Sequence, residues 1–570
     1  MKTNHRSNSS EIIILGEGHD EWEHRYFKFG VHGSDINIPP FSAKEILDSP
    51  NEVFGELTDA GANVFRKSVR NQLFQELDNL QSQPCKFKVV SRLGWNRAAF
   101  VLPGKILGQP SRTLEPSFRH LDQQILGKYR TRGTLEQWQS KIRKLCAGNS
   151  RLMFCASLGL TGPILPLVGD PRSGGFQLFG PAESGKTAAA MVTGSIWGCH
   201  LSPERREIGF SESWHTTAGK IEITALAHNE IVLLLDETKR AGRNNKERGQ
   251  AVLDISFGLA ENVERERLTN GRSVRGWRFY FLSTSNYSLD ELAQRAGIEI
   301  DDAERGRLVD IPNPAGGHGI YEELHGFENG QKFTDVLKIR CRKFCGSAGE
   351  QFVDRLVHDR AHDPAALKRF LKAERKVYLQ ALKAKAQAHN LRPLNRASGR
   401  FATTFAAGSL AIKYQIFPWN RGDLFEAILA CQLDGLRHSQ TSNKQADASV
   451  TGLRRKLIRY LADNRDQFRN LDTKMPILGK HKFGSVPGYF ARFKGKKWFY
   501  LTANQFKAIV GGGENADQLK AELVADGLMD RTSTGKFLVQ RPIFSGAPGN
   551  KGHKWVHAFR AKLLKEQDQS

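Results

Sequence analysis

Eight consecutive residues match the spacing G-x-x-x-x-G-K-S/T, a glycine-rich loop that ends in lysine and threonine. An apolar run, 176–179, precedes them and an alanine-rich stretch, 187–197, follows, which predicts a strand, a loop and a helix. Backbone N–H groups of such a loop and the positive end of the helix bind phosphate oxygens. The residues expected to hold the phosphates of ATP are Gly180, Glu183, Ser184, Gly185, Lys186 and Thr187.

A second apolar run ends in two carboxylates that suit the same chemistry. Residues 231–235 are continuously apolar, as a strand buried on both faces is, and Asp236 and Glu237 follow them. We expect Thr187 and Asp236 to hold Mg²⁺ and Glu237 to polarise the attacking water.

A third run, 279–282, ends in the polar stretch 283–286. A polar residue at the end of the strand beside the phosphate-binding strand can position the attacking water. Asn286 is our first candidate, and the choice among 283–286 stays open. Three polar strand ends predict a Mg²⁺-dependent ATPase core; the alternative is an ordinary α/β core whose strands end in polar residues by chance.

The composition favours a polyanionic partner. The 570 residues carry 84 Lys+Arg against 60 Asp+Glu, a net charge of +24 and a pI near 9.7. DNA is the expected partner, and the alternative is a basic but inert surface. No apolar run approaches the length of a membrane span and no signal peptide opens the chain, so no membrane partner is expected. The scattered cysteines fit a reducing, cytoplasmic location.

Two stretches before the loop give local predictions. Thr134, with Gln137 three residues later, predicts a capped helix start. The apolar segment 152–167 is too short and too interrupted by glycine and proline to span a bilayer, and is expected to pack against the core. The stretch 17–24, rich in histidine and carboxylates, is interpreted as a solvated loop rather than a metal site.

Nine segments between Arg132 and Pro312 form a recognisable series: 132–138, 148–152, 185–187, 195–198, 214–216, 235–237, 277–278, 281–284 and 306–312. In these segments the chain resembles a bacterial and phage family known as domain of unknown function 927. Members look like AAA+ ATPases of the helicase superclade, and some, carried on mobile elements, are similar to minichromosome-maintenance helicases. The resemblance implies a ring-forming motor on DNA. It also implies a cytoplasmic location in a bacterial or phage-infected cell.

A basic hairpin is predicted directly before the third apolar run. Asn270-Gly271 is a strong hairpin signal, because both residues tolerate positive φ. If subunits form a ring, the hairpin tips would line its channel and hold DNA phosphates. The alternative is a solvated hairpin whose arginines pair with neighbouring glutamates. The DNA-binding candidates are Arg265, Arg267, Arg272 and Arg275.

Two arginines, Arg305 and Arg307, are expected just past the core strands, where one AAA+ subunit meets its neighbour. One of them, with Arg307 preferred, would act in trans on the γ-phosphate of that neighbour. The alternative is a surface salt bridge. This expectation requires a homo-oligomer, most simply a hexameric ring.

The remaining chain predicts further domains. Residues 346–438 are mostly helical and resemble the lid of an AAA+ ATPase, and the polar stretch 439–449 is interpreted as a linker. Residues 451–570 carry 23 Lys+Arg against 10 Asp+Glu. Their predicted helices, and a hairpin over 529–540, form a winged-helix pattern, which binds a DNA major groove or, alternatively, only proteins.

The predicted fold is therefore multidomain α/β: an AAA+ P-loop ATPase core with a helical lid, an N-terminal α/β domain and a C-terminal winged-helix domain. The predicted divisions are 1–115 (N-terminal α/β), 116–160 (helical connector), 161–345 (ATPase core), 346–440 (lid) and 450–570 (basic winged helix).

Two functions fit these predictions. One is an ATP-dependent DNA helicase, or self-loading replicative helicase, for phage or mobile-element replication. The other is a nucleic-acid-gated ATPase switch in defence or regulation that does not unwind DNA. A structural protein with a relic ATP site is disfavoured, because Lys186, Thr187, Asp236 and Glu237 are all present.

Overall fold

A computed structural model gives the protein as two compact units, residues 1–438 and 439–570. The five-part division stays a prediction. The described residues are 12–80, 86–110, 113–169, 172–199, 210–263, 276–314, 317–448, 450–472, 484–544 and 551–564.

The first unit begins with two small sheets flanked by short helices. The strands are β1 (Ile12–His19), β2 (Arg25–Val31), β3 (Phe41–Ser42), β4 (Phe87–Val90), β5 (Gly94–Asn96), β6 (Ala99–Leu102), β7 (Lys105–Leu107) and β8 (Leu114–Pro116). The helices are α1 (Ala43–Asp48), α2 (Pro50–Asp59), α3 (Lys67–Asp78) and α4 (Gln123–Leu126). One sheet has the order β3-β2-β1-β4-β8 and the other β5-β6-β7.

The interpretation of 17–24 as a solvated loop is wrong for its first part. Strand β1 continues to His19 and pairs antiparallel with β2. Glu17 is buried there, and Arg25 Nε donates to its Oε1 at 2.6 Å, which lowers the pKa of the Glu17 carboxyl. The buried ion pair explains why a carboxylate can lie inside a strand. Within the described ranges, no group of three or more His, Cys, Asp or Glu could hold a metal ion.

A helical segment then leads into the core. The capped start is confirmed: Thr134 and Gln137 form a reciprocal capping box. The helix runs as α5 (Leu135–Trp138), a π-helical turn over 139–143 and α6 (Lys144–Cys146).

The apolar segment that follows forms α7 (Ser150–Gly159) and α8 (Leu165–Val168). It packs against the core, with the Phe154 and Phe176 rings 5.0 Å apart. No single helix among the described residues is long and apolar enough to cross a membrane. The bent pair formed by α7 and 162–168 reaches that length and composition only together.

The core of the first unit is a five-stranded parallel sheet. Its strands are β9 (Gly174–Phe179), β10 (Glu212–Ser213), β11 (Val232–Asp236), β12 (Tyr280–Ser285) and β13 (Leu308–Pro312). The order is β10-β11-β12-β9-β13. The connecting helices are α9 (Lys186–Ser195), α10 (Ala218–Leu226), α11 (Asn245–Ala260), α12 (Leu289–Ala296) and α13 (Asp302–Arg305).

The order of this sheet fixes which polar residues meet. Strand β12 lies between β9 and β11, and all three are buried along their whole length. Because the strands are parallel, their carboxyl ends meet at one edge of the sheet. We call this the carboxyl edge and the opposite side the amino edge.

Five helices follow the core sheet, and the last of them continues past residue 438 into the second unit. They are α14 (Gly330–Lys343), α15 (Ser347–His362), α16 (Pro364–Ala388), α17 (Asn395–Lys413) and α18 (Arg421–Ala448). The stretch 439–449, interpreted as a linker, begins at the boundary between the two units, and α18 continues through 439–448, where no proline or glycine ends the helix.

The second unit combines helices with a mixed sheet. The helices are α19 (Val450–Asp463), α20 (Ala503–Val510) and α21 (Glu514–Ala525). The strands are β14 (Arg469–Asn470), β15 (Tyr489–Phe493), β16 (Lys496–Leu501), β17 (Val539–Phe544) and β18 (Lys551–Arg560), in the order β14-β15-β16-β18-β17. The turn of the hairpin predicted over 529–540 lies at 532–536, where Thr532 N–H donates to Lys536 O. Its flanks, 529–532 and 536–540, do not pair with each other as strands, and the long pair is β17 with β18.

Candidate functional site

The loop between β9 and α9 uses two glycines for steric reasons. Gly180 has φ +153°, and a Cβ there would lie 2.6 Å from Asn313 Nδ2. Gly185 has φ +94°, and a Cβ there would lie 2.7 Å from Tyr321 Oη. The loop backbone is therefore pressed against the segment that follows β13, and larger residues at these positions would displace it.

Lys186 is the first residue of α9 and is buried. Its Nζ donates to Gly180 O at 2.9 Å, to Pro181 O at 2.5 Å and to Ser184 Oγ at 3.3 Å. Burial lowers the pKa of Lys186, and the charges of Asp236 and Glu237 oppose that shift. The ammonium thus lies inside the loop, where it can exchange carbonyl partners for phosphate oxygens.

Asp236, the last residue of β11, joins two other elements. Its Oδ1 accepts from Thr284 Oγ1 at 2.7 Å and from Thr187 Oγ1 at 3.3 Å. Burial raises the pKa of Asp236, while both hydroxyls lower it. The three side chains come from β11, β12 and α9, so their positions depend on the sheet order rather than on local sequence.

Glu237 turns away from the strand. Its backbone is left-handed, with φ 60°, and its N–H donates to Thr284 Oγ1 at 2.9 Å. This turn places the exposed Glu237 side chain in the same cavity as Lys186 and Thr187. Asn286 also lines that cavity.

The cavity at the carboxyl edge has a volume of about 430 Å³, within the range of small-molecule sites. One wall comes from α14, through Gln331, Thr334 and Lys338, which the sequence analysis missed. The charge of Lys338 acts to lower the pKa of Asp236, so Lys338 adds a cation from a distant helix. Their spacing of three and four residues, which puts polar side chains on one helix face, is the signal that could have found them.

Two residues from the segments that resemble domain of unknown function 927 support the core strands. The indole of Trp214 donates to Ser283 Oγ at 3.2 Å, next to Thr284 on β12. Arg151 is buried, and its Nη2 donates to Pro312 O at 2.8 Å and to Asp434 Oδ2 at 2.7 Å. These contacts support the strand ends but do not reach the cavity.

The expectation that Arg305 and Arg307 follow the last core strand is wrong, because β13 comes after them. Both lie at the amino edge, since β13 begins at Leu308 and runs parallel to β9. Arg307 is separated from Pro312 by five residues of extended chain, on the order of 17 Å. Neither arginine can reach the Lys186 loop of its own chain.

The two arginines differ in their partners. Arg305 Nη2 lies 2.9 Å from Asp290 Oδ1, and Arg305 Nη1 lies 3.7 Å from Asp302 Oδ1. Arg307 lies over the Phe257 ring at 4.2 Å and is 3.5 Å from a Glu261 carboxylate oxygen. Arg307 has the weaker carboxylate pairing and opens onto a cavity of about 790 Å³.

Five arginines line that amino-edge cavity, and Glu261 is the only acidic residue among the described residues that line it. The predicted basic hairpin, with Arg265, Arg267, Arg272 and Arg275, lies outside the described residues. Its two flanks, Val263 and Gly276, form an antiparallel bridge. The arginines of the cavity are Arg172, Arg307, Arg375, Arg396 and Arg400.

Comparisons with known proteins agree with this architecture. A family described as "Domain of unknown function (DUF927)" matches residues 9–269, so the match extends further toward the N-terminus than the resembling segments do and ends before the last of them. A search of curated proteins finds no match. A solved chain described as "SCCmec type IV Cch - active helicase" is similar over 97% of this chain and 95% of its own, with a TM-score of 0.58 and 15% sequence identity. The chain is thus a multidomain α/β protein that shares its fold with that helicase.

Proposed function

We propose that the protein is an ATP-dependent DNA helicase, or self-loading replicative helicase, that couples ATP hydrolysis to movement along DNA. The observation that carries this proposal is the meeting of Lys186, Thr187, Asp236 and Glu237 around one cavity. The order of the core sheet supports an AAA+ P-loop core, because a strand with a polar end separates the loop strand from the acidic strand. The shared fold with a chain described as an active helicase supports the choice of a motor.

The residues of the cavity fit magnesium-bound ATP. Lys186 Nζ is held by carbonyl oxygens that a phosphate can replace, and Gly180 and Gly185 allow the backbone to approach a ligand closely. Asp236 and Thr187 already point oxygens at each other 3.3 Å apart, which suits a shared hard cation. Bound Mg²⁺ would neutralise charge that develops on the phosphates.

Each side chain then has a definite task. Lys186 binds the terminal phosphates, and Thr187 and Asp236 hold the cation. Glu237, exposed in the cavity, accepts a proton from the attacking water. Thr284 fixes Asp236 and the backbone of Glu237 through two hydrogen bonds, so it is a positioning residue, and Asn286 is the candidate that orients the water.

Coupling to DNA would run through β12. Its carboxyl end, Thr284 and Ser285, borders the nucleotide cavity, and the chain just before its start leads back to the bridge at Val263 and Gly276. A shift of β12 on hydrolysis would therefore move the predicted hairpin 264–275 beyond that bridge. We propose that its arginines hold DNA phosphates in the channel of a hexameric ring.

Assembly and context complete the proposal. Arg307 would complete the site of a neighbouring copy, since it cannot reach its own. The five-domain layout, a winged helix at 450–570 and a cytoplasmic role in phage or mobile-element replication belong to the same proposal. The similarity to minichromosome-maintenance helicases belongs to it as well.

A strand-displacement assay on a forked DNA duplex tests the motor. We expect ATP-dependent unwinding by the wild type and none by Lys186→Ala. The double variant Arg267→Ala/Arg272→Ala should keep basal ATPase but lose DNA-stimulated turnover, with a salt dependence of binding that is flatter by about one unit per lost contact. DNA-stimulated ATPase without any strand displacement would contradict the helicase and favour a nucleic-acid-gated switch.

A further inference from the structure

The second unit contains a cleft of about 780 Å³ that the proposed motor does not use. Helix α20 contributes Phe506 and Lys507, and α21 contributes Lys520. The turn before β17 contributes Lys536 and Phe537. Strand β18 contributes Trp555 and His557.

The floor of this cleft is aromatic and uncharged. The rings of Phe506 and His557 are 4.6 Å apart, and Phe506 stacks on Phe559 at 5.9 Å with 14° between the ring planes. His557 Nδ1 lies 3.1 Å from Phe537 O. Burial lowers the pKa of His557 to about 4, so the floor carries no charge at neutral pH.

Trp555 stands beside this floor with 51% of its surface exposed. An exposed indole beside an aromatic floor forms a continuous apolar surface, which marks a binding site more strongly than a single exposed side chain does. The indole offers a flat face on which another planar ring can stack.

The rim of the cleft is cationic. Lys507 and Lys536 are exposed, and Lys520 lies 5.4 Å from the Phe506 ring. Asp517 lies 2.7 Å from Lys520 Nζ and offsets part of its charge. None of the described residues that line the cleft is acidic.

We propose that this cleft binds single-stranded nucleic acid, with an unpaired base stacked on Trp555 and the flanking phosphates on Lys507 and Lys536. Aromatic faces combined with a cationic groove are the features by which proteins hold unpaired strands. A duplex hides its base faces, so it would not use the indole. The net positive charge of residues 451–570 favours a nucleic acid over an acidic peptide, the other ligand that such a cleft could attract.

The cleft and the nucleotide cavity lie in different units, so this inference does not rest on the proposed motor. Binding of a labelled dT20 oligonucleotide and of a hairpin duplex is measured on the full chain by fluorescence anisotropy without nucleotide. Trp555→Ala should weaken dT20 binding roughly 5- to 100-fold and duplex binding less than about 2-fold. Trp555→Phe should restore most of the dT20 affinity. Trp22→Ala, which removes a tryptophan that is 48% exposed in the first unit, is the matched control and should bind like the wild type.

The lysines are tested through salt dependence. The double variant Lys507→Ala/Lys536→Ala should flatten the logarithmic salt slope for dT20 by about 1 to 1.5. The control Lys494→Ala/Lys496→Ala removes two exposed lysines outside the cleft and should change the slope much less.

Photo-cross-linking locates the strand directly. A 5-iodouracil oligonucleotide should cross-link to the tryptic peptide Trp555–Arg560 of the wild type. The inference is overturned if this peptide carries no cross-link or if Trp555→Ala binds dT20 like the wild type. It is also overturned if an acidic peptide with an aromatic C-terminus requires Trp555 while dT20 does not.

Discussion

The carboxyl and amino edges of the core sheet differ in how their charged groups are satisfied. At the carboxyl edge, Asp236 accepts hydrogen bonds from Thr284 and Thr187, and Lys186 donates to carbonyls of its own loop. Cations and carboxylates are balanced around a cavity of about 430 Å³. At the amino edge, five arginines surround a cavity of about 790 Å³ with one described carboxylate, Glu261. The described lining of the first edge holds equal numbers of cations and carboxylates, whereas the described lining of the second holds more arginines than carboxylates.

This difference suggests how copies of the chain cooperate. Arg307 lies on the order of 17 Å from the carboxyl edge of its own sheet, so a role for it in ATP hydrolysis, as we propose, requires the phosphates of another copy. A ring would place the amino edge of one copy against the nucleotide cavity of the next. Variants altered at one edge test each edge alone, and mixtures of variants test whether the edges of two copies act together.

The largest expected effect concerns Arg307. Arg307→Ala should reduce ATPase activity on the order of 10³-fold, the usual contribution of an arginine supplied in trans. Arg305→Ala should lose far less, because Asp290 and Asp302 already occupy that guanidinium. Turnover is measured at saturating ATP.

Mixing tests whether Arg307 acts in trans. Mixtures of Lys186→Ala and Arg307→Ala copies should regain activity at interfaces that pair an intact loop with an intact arginine. Absence of rescue at every ratio, with oligomers verified by light scattering, would contradict this role.

Lys186→Ala should weaken ATP binding roughly 30-fold or more, because it removes a buried, hydrogen-bonded charge. Titration calorimetry measures the loss. Lys332→Ala on α14, an exposed lysine paired with Glu328, is the control and should bind ATP normally. Equal affinities for wild type and Lys186→Ala would show that the cavity is not the nucleotide site.

Thr284→Val should lower turnover about 10-fold with little change in KM, because it removes two hydrogen bonds that hold Asp236 and Glu237. Thr224→Val is the control, since Thr224 Oγ1 donates to Lys220 O of its own helix and has no other hydrogen-bond partner among the residues that the structure describes. If Thr284→Val raises KM and leaves kcat unchanged, Thr284 contributes to substrate binding instead.

The smallest effect is a pH dependence of magnesium binding. Burial raises the pKa of Asp236, and a cation requires its carboxylate, so Mg²⁺-dependent nucleotide affinity should be full above that raised pKa and should fall as pH drops through it. The pH profile of nucleotide affinity is measured for the wild type and for Asp236→Asn. The difference between the two profiles removes the contribution from protonation of ATP itself. Identical pH profiles for the two proteins would contradict the assignment of Asp236 as a ligand.

The sequence could predict the carboxyl edge because its signals are local. Residues 231–235 are apolar throughout, as a strand buried on both faces must be, and the residues after that strand are read directly from the chain. The loop has a fixed spacing for the same reason: Gly180 and Gly185 are required by backbone geometry.

Long-range contacts explain what the sequence could not predict. Lys338 reaches the cavity from a helix about 150 residues after the loop; its spacing from Gln331 and Thr334 predicts a polar helix face but not which cavity that face lines. Strand β13 is short and carries Asp310 in its middle, so its apolar pattern is too weak to recognise. Because β13 is not recognised, Arg307 is predicted to follow the last strand, whereas in the structure it directly precedes β13.

The measurement that tests the central claim most directly compares ATP binding and ATP hydrolysis by Glu237→Gln. The glutamine keeps the size of the side chain and leaves Asp236 and Thr187 in place, but it cannot accept a proton from water. We predict ATP affinity within about 3-fold of the wild type and turnover lower by at least about 100-fold. Wild-type turnover in Glu237→Gln would contradict the claim that this cavity is a magnesium-dependent ATPase site.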